Sequence, residues 1–222
     1  QFAQESFIQD LWEFPEGKAI GLSYFRERGF TDETIRLFGL GYAAQQRDRF
    51  YKKVTKAGYA ENYTLETGLI IKNERGTVDR FRGRVIFPIR SMAGRVQGFG
   101  GRILSATLKT AKYINSPESE VYHKSKVLYG MFEAKKAIAK EDICYLVEGY
   151  TDVIQMFQLG IENIVSSSGT ALTPEQIRLV RRLTPNIVVL FDGDSAGLRA
   201  TIRGIDLILE QGMNVRVCSF PE

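Results

Sequence analysis

Two stretches decide how this 222-residue chain is read: Leu146-Val147-Glu148-Gly149-Tyr150-Thr151-Asp152 and Val189-Leu190-Phe191-Asp192-Gly193-Asp194. Each starts as an apolar run and ends on a carboxylate followed by glycine. Around them, apolar runs of strand length alternate with segments of helical period. Strands are expected at Ile143–Val147, Asn163–Ser166, Ile187–Phe191 and Asn214–Phe220. Helices are expected over 150–159, 173–183 and 196–210, the second capped by Thr173 with Pro174 at its first position. This alternation predicts a parallel, doubly wound sheet. In such sheets ligands lie beyond the carboxyl ends of the strands, where both acidic signatures sit.

Glycine after each carboxylate is read as allowing a tight turn and close approach of a ligand. Asp192 and Asp194, two residues apart on extended backbone, point to the same side. Glu148 joins them if its strand neighbours theirs. Three carboxylates this close repel one another unless a cation intervenes, and oxygen-only ligands select a hard ion, Mg²⁺ or Mn²⁺. Taken alone, Asp-Gly-Asp is a solvated turn and Glu148 an ordinary carboxylate at a helix start. Two such signatures, each closing an apolar strand, weigh against that reading.

Upstream, the character differs. Residues 1–40 read as helical, with Thr31 capping a segment that begins Asp32-Glu33-Thr34. From about 41 to 128, short β-rich runs are broken by glycine. Arg84–Arg90, a turn at Met92-Ala93-Gly94 and Arg95–Arg102 read as an antiparallel hairpin. A helix is expected over 129–140. The net charge of +4 is unevenly spread: Lys72 to Lys126 holds twelve Lys/Arg against four Asp/Glu, a local +8, leaving −4 elsewhere. A basic half joined to an acidic half points to a polyanion handled near a cation-dependent site. Arg80, Arg82 and Arg84 are expected to alternate along a strand and share one face. Guanidinium forks suit phosphates. Phe81, Phe87, Phe99 and Tyr113 interleave with them; most are expected in the core rather than stacked on bases.

The remaining composition narrows the field. Hydrophobic residues at 44% and charged residues at 25% are ordinary for a globular protein, and no apolar run spans a bilayer. Two cysteines, Cys144 and Cys218, are expected as lone buried thiols in strands, consistent with a reducing cytoplasm. With one histidine and no Cys-x-x-Cys, no zinc is expected in this piece. His123 is expected as a loop residue rather than a base. The opening Gln1-Phe2-Ala3 lacks Met and the regions of a signal peptide, so a fragment of a larger protein is expected.

A strand ending in Glu-Gly followed by one ending in Asp-x-Asp resembles the Toprim fold, shared by topoisomerases, some nucleases, recombination proteins and bacterial primases. The basic half chooses among them. Asp79–Arg90, Gly98–Arg102, Lys112–Glu118 and His123–Gly130 resemble the bacterial primase core, in the same order ahead of the Toprim segment. Tyr24–Gly29 and Leu40-Gly41-Tyr42 resemble its helical start. The resemblance implies an α+β fold joined to an α/β one. A basic mixed α/β subdomain, residues 1–128, binds template, and a Toprim doubly wound parallel-sheet subdomain, residues 129–222, binds metal. It implies two Mg²⁺ or Mn²⁺ ions at Glu148, Asp192 and Asp194, with Asp152 behind them or capping its helix. It places Arg80, Arg82, Arg84, Arg102, Lys112, Asn115 and Lys124 against template or nucleotide phosphates.

The implied function is synthesis of short RNA primers on single-stranded DNA from ribonucleoside triphosphates, in the bacterial cytoplasm at the replication fork. A replicative helicase would be engaged through a module outside this chain. In the family a further acidic cluster follows the last strand, where this sequence reaches Phe220-Pro221-Glu222, so weak activity is expected of this piece alone. Two rival readings stay open: another Toprim enzyme, such as a topoisomerase or nuclease fragment, and a non-catalytic single-strand-binding module. Metal-dependent primer synthesis separates them.

Overall fold

The alternation of strand and helix from residue 141 onward produces a four-stranded, fully parallel sheet. The computed structural model describes residues 1–74, 76–104, 111–169, 171–192 and 204–220, without the side chains of residues 191, 192, 219 and 220. Strands β7 (Cys144–Val147), β8 (Ile164–Ser166), β9 (Asn186–Asp192) and β10 (Asn214–Phe220) lie in the order β10-β9-β7-β8, and every pairing is parallel. Helices α6 (Met131–Glu141), α7 (Tyr150–Gln158) and α8 (Pro174–Arg181) precede or connect them, and residues 204–210 are helical. Their apolar faces meet the sheet in one core that includes Ile138, Leu146, Val165, Ile177, Val189 and Ile208. Cys144 is buried there, and burial pushes its thiol well above the usual range. Cys218 departs from expectation: on edge strand β10 it is exposed.

The chain divides into two compact units, 1–89 with 95–123, and 90–94 with 124–222. The second unit begins ahead of α6 because Leu128 is already in its core and Tyr129 exchanges two main-chain hydrogen bonds with Ser166 at the end of β8, at 2.9 and 3.0 Å.

The first unit is built on a sheet of order β1-β4-β5-β6, comprising β1 (Gly41–Ala43), β4 (Arg84–Arg90), β5 (Val96–Ile103) and β6 (Tyr113–Asn115), beside a hairpin of β2 (Ile70–Asn73) and β3 (Gly76–Asp79). Helices α1 (Phe2–Trp12), α2 (Ser23–Glu27) and α3 (Asp32–Leu37), with a π-helical turn at Gly17–Leu22, form the helical start. Thr31 caps α3, its hydroxyl accepting from the amide of Thr34 at 3.2 Å. Phe7, Phe50, Phe81 and Phe99 cluster in the core, and Phe87 is fully buried, so these aromatics are structural.

Two helices in this unit, α4 (Arg49–Lys56) and α5 (Glu61–Glu66), fall in a stretch read as β-rich. Helix α4 has no local signal at its start, because Asp48 at the cap position makes no capping bond. The cap comes from 29 residues away: the Asp79 carboxylate accepts from the amides of Phe50 at 2.7 Å and Tyr51 at 3.0 Å. Asp79 is buried, and loss of water outweighs these bonds, with the negative charges of Asp48 and Asp10 adding to it. Its carboxyl is therefore pushed up to about 6 from 3.8.

The expected alternation of Arg80, Arg82 and Arg84 along one strand does not occur. Residues 80–83 form a turn and β4 begins at Arg84. Arg84 points inward and is 5% exposed. Its guanidinium donates to the carbonyls of Gly101 (3.3 Å), Ala111 (3.1 Å) and Lys112 (3.3 Å). This burial has no carboxylate partner among its described hydrogen bonds, and desolvation draws the Arg84 pKa down. Gly101 makes room for it: a Cβ there would stand 2.6 Å from the Phe81 ring and 3.1 Å from Arg84 Cδ.

Two outcomes follow for the first unit. Because the folded carboxyl of Asp79 holds its proton to about pH 6, stability from that proton is present below about pH 4 and is lost as pH rises through 6. Asp79→Asn, which keeps an acceptor but cannot ionise, should gain stability relative to wild type between pH 4 and 6.5, by on the order of 2 kcal/mol. Urea denaturation of both proteins across that range checks this, and parallel curves would refute it. Arg84→Met should cost about 1–3 kcal/mol by removing the guanidinium donors from the carbonyls of Gly101, Ala111 and Lys112, while single-stranded DNA affinity stays within a few-fold. A large loss of DNA affinity with unchanged thermal stability would mean Arg84 touches nucleic acid instead.

Candidate metal centre and nucleic-acid surface

Parallel pairing of β7 with β9 fixes where the acidic residues fall. Their register sets Cys144 against Ile187, Tyr145 against Val188 and Leu146 against Val189. Continued two residues, it brings Glu148 level with Phe191, one residue short of Asp192, the last residue of β9. Neighbouring strands lie about 4.8 Å apart. Glu148 thus follows β7 and Asp192 closes β9 at the carboxyl edge of two adjacent strands. The Glu148 side chain is exposed. Asp194 lies outside the described residues, as does the side chain of Asp192. Among the described residues no trio of Asp, Glu, His or Cys gathers as a metal site, since the signature's other two carboxylates are not among them.

Local chemistry holds this edge. The Asp152 carboxylate accepts from the Gly149 amide at 3.0 Å in the first turn of α7, so Asp152 caps its helix. Gly149 has φ −119° and ψ 166°, an extended backbone open to any residue. Glycine is needed there because a Cβ would stand 2.9 Å from Asp152 Oδ2, so its part is room for the cap rather than a special turn. Ser166, fully buried, donates its hydroxyl to the Glu148 carbonyl at 2.6 Å and accepts from the Ser168 amide at 2.9 Å. Ser168 adopts φ +61°, the left-handed region that a non-glycine residue visits only when its surroundings hold it there.

In the first unit, strand β5 carries Arg102 and the approach to β6 carries Lys112, while Arg80 and Arg82 lie in the turn before β4. Arg102 pairs with Tyr113 and Gly100 with Asn115 across the ladder, and Lys112 immediately precedes β6. The Arg102 guanidinium donates to the Tyr24 hydroxyl and lies 4.9 Å from the centre of the Tyr24 ring and 5.6 Å from that of Tyr113. Burial raises the Tyr24 pKa, partly offset by Arg102 and Arg28. Lys112 and Arg82 are exposed. The Nε atoms of Arg80 and Arg102 are buried without a hydrogen-bond partner among the described residues. Arg84 belongs to this surface only indirectly: it holds the Lys112 carbonyl from beneath. Arg28, whose guanidinium lies 5.7 Å from the centre of the Tyr24 ring, was not singled out in the sequence. The signal was there in the Tyr24–Arg28 spacing of four, which places both on one helical face.

Lys124 lies in the second unit, in a 3₁₀ turn, Lys124–Lys126. His123 is an exposed loop residue whose Nδ1 lies 3.2 Å from Glu118 Oε2.

A family model described as DNA primase catalytic core, N-terminal domain, matches residues 7–135, and one described as Toprim-like matches residues 145–222. The chain is 41% identical to a DNA primase of Halalkalibacterium halodurans over 224 residues, covering 100% of this chain and 37% of that protein. It thus spans little more than a third of that relative's length. Among solved structures, the RNA polymerase domain of Mycobacterium tuberculosis primase superposes with a TM-score of 0.91 at 35% identity, covering 100% of this chain and 74% of the other. A DnaG primase catalytic domain solved bound to single-stranded DNA superposes with a TM-score of 0.89 at 36% identity, covering 100% of this chain and 71% of the other. With more than half of its residues under one family model and its whole length aligned to such relatives, the chain belongs to the DNA primase catalytic core family.

Proposed function

We propose that this chain is the part of a DNA primase that joins ribonucleotides on a single-stranded DNA template. The observation that carries the reading is the direct parallel pairing of β7 and β9, whose carboxyl ends lead into Glu148 and Asp192. The donor set fits a hard divalent cation: carboxylate oxygens, no thiolate and no imidazole. Glu148, Asp192 and Asp194 would hold two Mg²⁺ or Mn²⁺ ions, which supply polarisation of the attacking hydroxyl and of the leaving oxygens. In the reaction a 3′-hydroxyl oxygen bonds to the α-phosphorus of the next ribonucleoside triphosphate. The bond from that phosphorus to the bridging oxygen breaks, pyrophosphate leaves, and the hydroxyl proton passes to solvent.

The chain's own residues position and neutralise. Asp152 and Ser166 hold the two polar ends of the peptide group that follows Glu148. Lys124 would meet a phosphate in the second unit. In the first unit Arg80, Arg82, Arg102, Lys112 and Asn115 would take template phosphates and sugars, with Tyr113, 38% exposed, available to a base. A solved relative bound to single-stranded DNA supports a template role for the chain. Among the described residues no helix is long and apolar enough to cross a membrane. Action at a bacterial replication fork, in the cytoplasm and beside a replicative helicase, belongs to the same reading.

Three measurements in the full-length protein test it. Asp192→Asn keeps the volume and removes one anionic ligand; it should lower primer synthesis about a thousandfold and leave DNA affinity within a few-fold. Crystals soaked in Mn²⁺ should show anomalous density beside Glu148 and Asp192, and retained synthesis or density only elsewhere would remove the site. Arg102→Ala and Lys112→Ala should each weaken single-stranded DNA binding and each lower the slope of log affinity against log salt by about one. Unchanged affinity at moderate salt would place the template surface elsewhere.

A further inference from the structure

The Thr173–Gln176 pair at the start of α8 does more than a helix cap requires. A capping box needs an acceptor at its third helical position, and glutamate serves as well as glutamine. Here the local bonds are present: the Thr173 hydroxyl accepts from the Gln176 amide at 3.2 Å, and Gln176 Oε1 accepts from the Thr173 amide at 3.1 Å. The side-chain NH₂ of Gln176 is not needed for that, and Gln176 is completely buried. Its two hydrogens go to the carbonyls of Lys124 at 3.1 Å and Val127 at 2.9 Å, 52 and 49 residues away. The Thr173 hydroxyl donates to the carbonyl between them, Ser125, at 2.6 Å. Three carbonyls of one four-residue stretch are thus tied to the start of one helix.

That stretch is poorly able to hold itself. It is a three-residue 3₁₀ turn, a conformation with weak internal bonds, and it carries two lysines that repel each other. Topology puts it at a useful place. Helix α8 follows β8 in a parallel sheet, so its start lies at the carboxyl edge, where Glu148 ends β7.

We propose that Gln176, assisted by Thr173, is a positioning residue for Lys124: it fixes the turn so that the ammonium is presented to a phosphate without first being ordered. This rests on the reading above that Lys124 meets a phosphate. Glutamate would keep the cap and lose both outward donors, so the choice of glutamine is explained by the turn and not by the helix. Ordering the backbone beforehand removes a conformational cost from binding.

The test uses full-length primase and two probes, ATP and a single-stranded DNA oligonucleotide, each titrated across a range of salt. Lys124→Ala should weaken one of them about tenfold; the probe affected identifies the source of the phosphate. Gln176→Glu should weaken the same probe by a similar factor and lower the same salt slope. The double variant should bind within about twofold of Lys124→Ala alone, because a positioning residue has nothing to position once the ammonium is gone. A merely structural role would multiply the two losses, and that outcome overturns the proposal, as does Gln176→Glu binding like wild type. If Gln176→Glu does not fold, Gln176→Met, which keeps length and volume, carries the same comparison. A Lys124→Ala variant that binds both probes normally would overturn the phosphate reading itself and this proposal with it.

Discussion

Direct parallel pairing of β7 with β9 is the constraint that shapes the second unit. It sets the carboxyl ends of the two strands next to each other, Glu148 following one and Asp192 closing the other. The fold responds by making the edge stiff. Gly149 yields its side-chain space to the Asp152 carboxylate. Ser166 ties the Glu148 carbonyl from the next strand, and the Tyr129–Ser166 pair closes the far side. These bonds hold the backbone that carries Glu148 in one conformation.

The first unit solves a different problem, the allocation of arginine. A run of Arg80, Arg82 and Arg84 reads as three equivalent cations, yet the chain uses them unequally. Arg84 goes inside and satisfies carbonyls of Gly101, Ala111 and Lys112, and so shapes the surface that carries Lys112 without reaching it. Arg102 is held between two tyrosine rings. Fixing a guanidinium against aromatic faces costs less charge neutralisation than a carboxylate partner would, and leaves its charge for an external anion. A surface meant for phosphate is better served by arginines braced on tyrosine than by arginines paired with aspartate.

Much of the second unit was legible because its signals are local. A run such as Cys144–Val147 needs only its own apolarity and the glycine after Glu148 to be read, and the capping box at Thr173 spans four residues. The first unit hides its reasons at a distance. The start of helix α4 is not legible locally because its cap comes from Asp79, and the inward course of Arg84 is not because its acceptors lie 17 to 28 residues downstream. Cys218 was placed inside because strand apolarity says nothing about which strand is the edge. Arg28 lies outside the basic stretch from Lys72 to Lys126, so only its spacing of four from Tyr24 points to it.

These failures share a cause that also explains the position of Gln176. Short-range patterns report which element a residue belongs to, whereas function depends on what a side chain does with capacity left over once the element is built. Asp79 has two acceptor oxygens and spends both on a helix start far away; Gln176 has two donor hydrogens and spends both on a turn far away. In each case the local motif is satisfied or absent, and the surplus bond is what joins segments separated in sequence. Buried polar groups with more hydrogen-bonding capacity than their own element requires are therefore where this fold records its long-range choices, and they are invisible until the partner segment is in place.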